Sequence, residues 1–250
     1  MQGLAGMLAV VPPGFELGEP SLDLLIDVGV QGLPDGGGPQ GEQVAGSAGL
    51  VLGLADLLGG GQVLCVALQN TNWLILGLDT AYVDFDLSPA QVQWINQMIA
   101  AAGTRKVMLC SHHQPFSLLD DQGPNLQAAL GPLLDSQRIE AWFWGHEHRL
   151  VVYEPHPTWG VKGRCIGHGG FPSDRDTQLG AGGDLYHWIH LKQRPHAPEA
   201  MLFDGPNFWV TAAPDKYSPH GFVFLEFDGA NAWETYRTPD NIGIAPRSRL

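Results

Sequence analysis

Three apolar stretches, residues 73–78, 106–110 and 139–144, constrain this chain more than anything else in it. Each is short, rich in aliphatic and aromatic residues, and bounded by turn-forming residues. That is the pattern of a strand buried on both faces. The segment between the first two reads as a helix. Ser88-Pro89-Ala90-Gln91 supplies an N-cap, a proline at the first helical position and a glutamine at the third. Val92, Ile95, Ile99 and Ala102 make its apolar stripe, and Gly103 ends it. Residues 126–134 carry a second helical pattern, interrupted at Gly131-Pro132. Strand, helix, strand, helix, strand with right-handed crossovers predicts three parallel strands. Their C-terminal ends then share one sheet edge, where α/β proteins bind ligands.

Polar groups follow each predicted strand: Asp79-Thr80, Ser111-His112-His113, and Gly145-His146-Glu147-His148. Topology alone therefore brings sequence-distant histidines together. Imidazoles suit zinc, iron, nickel or copper. Gly145 lets the backbone turn before its pair of histidines, and residues two apart share a face where the chain is extended. Asp79 is expected as a turn or cap group, or behind the metal ligands. Glu147 is expected to face solvent or Arg149, and Trp142 and Trp144 to serve as core and pocket wall. His168, on the permissive turn Gly167-His168-Gly169-Gly170, is a candidate for touching substrate or for stabilising its own turn.

The net charge is −13 over 250 residues. Nucleic acid and anionic membrane are thus disfavoured as bulk partners. An anionic substrate needs a local cation or arginine to override the field. Cys65, Cys110 and Cys165 are too scattered for a disulfide framework or zinc ribbon, and read as core. No Lys or Arg precedes the apolar residues 3–11, which argues against a secretory signal. The apolar window 50–68 is broken by Asp56 and three glycines, so a soluble, cytoplasmic protein is expected. Residues 1–69 form an atypical segment without Lys or Arg. Within it, 21–30 fits a short helix or buried strand, and 45–58 a glycine-weakened helix. Further on, 150–153 and 164–166 read as strands and 172–218 as irregular. Alternating runs at 220–227 and 230–236 flank Asp228-Gly229 as a hairpin, and 238–250 reads as a loose tail.

Ser-His-His-Gln-Pro-Phe-Ser at 111–117 and Gly-His-Glu-His at 145–148 resemble the last two metal motifs of the calcineurin-like metallophosphoesterases. Residues 78–82, 164–169 and the closing hairpin resemble a bacterial subgroup of that superfamily. The resemblance covers 70–237, taken as one domain. It implies an α/β two-sheet sandwich with flanking helices and two divalent ions at the strand ends. It also implies His112 and His146 on one ion and His148 on the other, with His113 the alternative to His112. Such ions polarise phosphoryl oxygens and activate water. The superfamily's first three motifs, Asp-x-His, Gly-Asp-x-x-Asp and Gly-Asn-His-Asp/Glu, are missing. No His occurs before His112, Val30 stands where the second motif would have an Asp, and Gly41-Glu42-Gln43 falls near the third without its Asn or His. The N-terminal part of the fold is therefore expected to be incomplete or irregular. The expected protein is a metal-dependent phosphoesterase acting on a small phosphomonoester or phosphodiester, impaired, and holding at most one ion such as Mn, Fe or Zn. The alternative is a non-catalytic remnant of the same fold.

Overall fold

The structure, a computed structural model, describes residues 65–81 and 83–250, and before them the backbone of five strand segments. Those segments are β1 (Met7–Ala9), β2 (Leu22–Asp27), β3 (Gly49–Val51), β4 (Leu54–Ala55) and β5 (Val63–Leu64). Then come β6 (Val66–Gln69), β7 (Trp73–Gly77), α1 (Pro89–Ala101), β8 (Lys106–Ser111), α2 (Pro124–Asp135) and β9 (Ile139–Trp144). The chain continues through β10 (Leu150–Pro155), β11 (Lys162–Ile166), β12 (His187–Leu191) and β13 (Ala200–Asp204). It closes with β14 (Phe222–Asp228), β15 (Asn231–Arg237) and β16 (Ser248–Arg249).

The result is a mixed α/β protein with a large mixed sheet and few helices. The large sheet runs β12-β13-β10-β11-β9-β8-β7-β6-β3. At its centre β7, β8, β9 and β11 are parallel, with Leu76 opposite Leu109 and Ser111 opposite Trp144. The C-terminal ends of β7, β8 and β9 therefore meet at one edge. A second sheet runs β1-β2-β14-β15-β16 and is antiparallel throughout.

Side-chain alternation sorts the large sheet's two faces. Leu74, Leu76, Val107, Leu109, Trp142 and Trp144 pack with Ile95 and Ile99 of α1 and Leu126, Leu130 and Leu134 of α2. Trp73, Ile75, Met108, Ala141 and Phe143 point the other way, into a core shared with Val223, Leu225 and Phe227 of β14 and Tyr236 of β15. Two separate cores thus sandwich the large sheet between helices and second sheet, an arrangement compatible with a sandwich fold. Among the described residues no helix is long and apolar enough to cross a membrane.

Several local expectations change. The helix α1 starts as read, with Ser88 Oγ accepting from Gln91 N at 3.2 Å. By contrast α2 begins two residues earlier than its pattern and runs through Pro132 without breaking. Burial of Leu130, Leu133 and Leu134 on either side holds the helix across a residue that lacks its N–H. The span 172–218, expected to be irregular, contains β12 and β13, which continue the large sheet beyond β10. Residues 49–51 and 54–55 are strands rather than helix; the rest of 45–58 lies outside the described residues. Leu22–Asp27 is a strand, while Val30 and the 41–43 stretch lie outside them too. The expected loose tail is tied down, because β16 pairs with β15 and Leu250 is buried.

One polar contact spans the second core. Arg164 of β11 donates to Glu234 of β15 through Nε (2.8 Å) and Nη2 (2.9 Å), and both side chains are almost fully buried. The Tyr236 hydroxyl donates to the same carboxylate. Removing one partner strands a buried charge, so Glu234→Ala should cost about 3–5 kcal/mol, while Arg164→Met with Glu234→Leu should recover most of it. Urea denaturation of the three proteins measures this; a single variant within about 1 kcal/mol of wild type would show that the pair contributes nothing net.

Candidate metal centre

β8 and β9 deliver the histidines. Where β8 ends, Ser111 Oγ donates to His113 O at 2.6 Å and accepts from Trp142 Nε1 at 2.7 Å. The turn after β9 folds onto the turn after β8. Gly145 N and His146 N both donate to His112 O, at 3.1 and 2.9 Å. A third turn nests against them, since a Cβ added at Gly167 would lie 1.8 Å from Gly145 O and 2.8 Å from His148 N. Only glycine allows that approach.

Within this frame the described residues bring together His112, His113 and His146, whose candidate ligand atoms all lie within 4.8 Å of one another. His146 Nδ1 faces His112 Nε2 at 3.2 Å. Two nitrogens bound at about 2.0–2.1 Å to one tetrahedral ion would be roughly 3.3 Å apart, so the spacing fits a shared ion. For two of the three rings the other nitrogen has a partner of the kind that orients metal-bound histidines. His113 Nδ1 lies 2.8 Å from Thr80 Oγ1, beyond the end of β7. His146 Nε2 lies 3.5 Å from Asp120 Oδ2. His113 Nε2 is buried and has no hydrogen-bond partner, an orphaned lone pair that a cation would satisfy.

The electrostatics favour the same state. Burial, then the charges of His146 and His148, pushes the His112 pKa down to about 4. Burial, then His112 and His146, takes His113 to about 3. For His146 burial lowers the pKa while Asp120 opposes it. All three rings are therefore neutral near pH 7, the form that donates to a metal. Three imidazoles with a nearby carboxylate make a zinc-like donor set for one ion.

The other expected site residues are placed differently. His148, expected as a ligand, stands outside the trihistidine group. Its backbone is left-handed at φ 47° and its ring lies 4.7 Å from that of Phe171. His113, the expected alternative to His112, joins it instead of replacing it. Asp79 is half-buried after β7, with its carbonyl accepting from Gln91 Nε2 at 3.2 Å, and is not in the group. His168 is wholly buried, with its carbonyl accepting from Gly221 N, and a Cβ at Gly221 would lie 2.8 Å from its Nε2. No surface of His168 is left for a substrate. Glu147 turns inward rather than to solvent, accepting from Ser117 Oγ and from Trp144 Nε1 (2.6 Å). Burial raises its carboxyl pKa against those two bonds.

Sequence reading missed Asp120 and Thr80. Asp120 has no periodic signal, only its place three residues beyond Ser117, the end of the 111–117 motif. Thr80 was visible at a strand end, without a sign that its hydroxyl would reach across to His113.

No protein-family model matches the chain, and no curated protein matches it. Among solved structures that match is one described as "GAP50 the anchor in the inner membrane complex of Plasmodium", at 12% identity and a TM-score of 0.44. The match covers 71% of this chain and 49% of that one, so the chain spans about half that structure's length.

Buried neutral histidines make the ion-free fold sensitive to acid. The folded His168 pKa is pushed down to about 4 by burial, below its unfolded value of about 6.5. Its contribution is fully present above about pH 6.5 and is lost as pH falls toward about 4, by on the order of 3 kcal/mol. His112 and His113 act in the same direction. Urea midpoints of ion-free protein should therefore drop between roughly pH 7 and pH 5, and His168→Leu should flatten the slope. A midpoint unchanged over that range would mean that these rings titrate as if in water.

Proposed function

We propose that this chain is a metal-dependent phosphoesterase of calcineurin-like descent, working with one tightly held ion. The observation that carries the reading is the trihistidine group at the ends of β8 and β9, assembled from the two motifs that resemble that superfamily. On this reading the helices, the nine-stranded sheet and the five-stranded sheet are its two-sheet sandwich. His112, His113 and His146 would hold the ion. It would supply Lewis-acid polarisation of a phosphoryl oxygen and a lowered pKa for water. With the ion in place, Asp120, 3.5 Å from His146 Nε2, would take that ring's N–H and leave Nδ1 for the ion, and Thr80 Oγ1, 2.8 Å from His113 Nδ1, would leave Nε2. The substrate is a small phosphorylated molecule.

A second reading, a remnant that binds one ion without turnover, is favoured by the make-up of the group itself. Its members are neutral imidazoles, and no carboxylate bridges them among the described residues. Two dications about 3.5–4 Å apart would repel strongly there. One ion per chain and weak hydrolysis are therefore expected.

Equilibrium dialysis against Zn²⁺ or Mn²⁺ should give one tight ion per chain. Asp120→Asn should weaken it about 10- to 100-fold, and His113→Ala should weaken it more. A chromogenic phosphomonoester and phosphodiester should be hydrolysed slowly, only with metal, and not by His146→Ala. Metal binding without hydrolysis of either ester would favour the remnant. Hydrolysis that survives chelation, or that His146→Ala leaves intact, would sink both readings.

A further inference from the structure

We infer that Arg149 and Arg194 form the anion-holding end of this site, and that its substrates are compact phosphoesters bearing a second anionic group on the alcohol side. The inference rests on the phosphoesterase reading above. A cavity of about 320 Å³ opens against His146 and Asp120, with both arginines in its lining and Leu118, Leu119 and Leu179 as an apolar wall. That volume is at the small end for ligand sites, enough for a short carbon body between two charged ends.

Arginine is scarce in this chain, and three of its nine arginines are ion-paired elsewhere. Lys and Arg number 13 against 26 Asp and Glu. Arg164 is paired with Glu234, Arg175 with Asp204 and Arg247 with Glu226. Arg149, the residue directly after the Gly-His-Glu-His motif, is held differently. Its Nη2 donates to the carbonyl of Asp174 at 2.9 Å, which aims the guanidinium without neutralising it. The Arg194 backbone is fixed by two hydrogen bonds with Ala197, and its exposed side chain has no ion pair among the described residues.

Three carboxylates share the cavity, and all are directed elsewhere: Glu147 accepts from Ser117 Oγ and Trp144 Nε1. Asp120 faces His146 Nε2, and Asp176 accepts from Gln178 N at 2.8 Å. None of the three is ion-paired with Arg149 or Arg194 among the described residues. A guanidinium holds a carboxylate or phosphate through two parallel hydrogen bonds. In a protein with a net charge of −13, the two guanidiniums give an anion in this cavity a local favourable charge. The phosphoryl end then lies toward the histidines and the second anion toward the arginines.

Calorimetry on the full chain loaded with one equivalent of Zn²⁺ tests this, with phosphoglycolate, phenyl phosphate and inorganic phosphate as probes. Phosphoglycolate should bind at least about tenfold more tightly than phenyl phosphate. Arg149→Met and Arg194→Met should each erase that preference, Arg194→Lys should keep part of it, and Arg249→Met, on the remote β16, should keep all of it. Equal affinity for the two esters in the wild type, or a preference that survives Arg194→Met, would overturn the inference. The same samples assayed for hydrolysis separate the two claims. An arginine-dependent preference without turnover of either ester upholds the pocket and removes the phosphoesterase reading. Turnover of phenyl phosphate without any preference does the reverse.

Discussion

One carbonyl oxygen ties the site together. His112 O accepts from both Gly145 N and His146 N, so both of its lone pairs are used. The turn after β9 cannot shift without carrying the turn after β8. Strand register reinforces the latch, because Ser111 and Trp144 are partners in the ladder just before it. The third turn, at Gly167, is locked to Gly145 by contact close enough to exclude a side chain. Three loops from three parallel strands thus behave as one block, and the imidazoles inherit its rigidity. Rigid elements position ligands more sharply than free loops do.

Packing beneath the block explains why its polar groups stay in place. Trp142 and Trp144 are fully buried against the helices, yet each indole N–H has an acceptor, Ser111 Oγ for one and the Glu147 carboxylate for the other. Both acceptors belong to the motif loops. The aromatic core and the polar edge are therefore one hydrogen-bonded network, with Ser117 and Tyr153 extending it to β10. A buried network of this kind is costly when partly satisfied. At the candidate centre His113 Nε2 is unsatisfied, and beside it so are both polar side-chain atoms of Gln114.

What the sequence disclosed follows from which signals are local. The runs that became β7, β8 and β9 were legible because full burial leaves a continuous apolar stretch, and α1 because Ser88 and Pro89 mark its start. The strands β12 and β13 were not legible. The first is only partly buried along most of its length, so His187–Leu191 carries neither a continuous run nor clean alternation. Pro132 broke the pattern of α2 on paper, but burial of its leucines outweighs one missing hydrogen bond. At the site, a doubled histidine after a strand does not reveal which ring joins the histidine group. Thr80, 33 residues before His113, helps to settle it. Asp120 and the inward turn of Glu147 likewise depend on partners that only the folded chain supplies.

The position of β2 has a consequence for how the chain associates. It lies between β1 and β14 in the five-stranded sheet, with Ile26 opposite Val223 and Leu24 opposite Leu225. Leu22–Asp27, from the compositionally odd N-terminal stretch, thus occupies an interior place in the second layer. Without it, β14 would present a row of unpaired N–H and C=O groups along a seven-residue strand whose alternate residues are apolar. Exposed edges of that kind recruit other strands. Keeping such chains apart in concentrated solution is then a task of Leu22–Asp27, quite separate from any chemistry at the histidines.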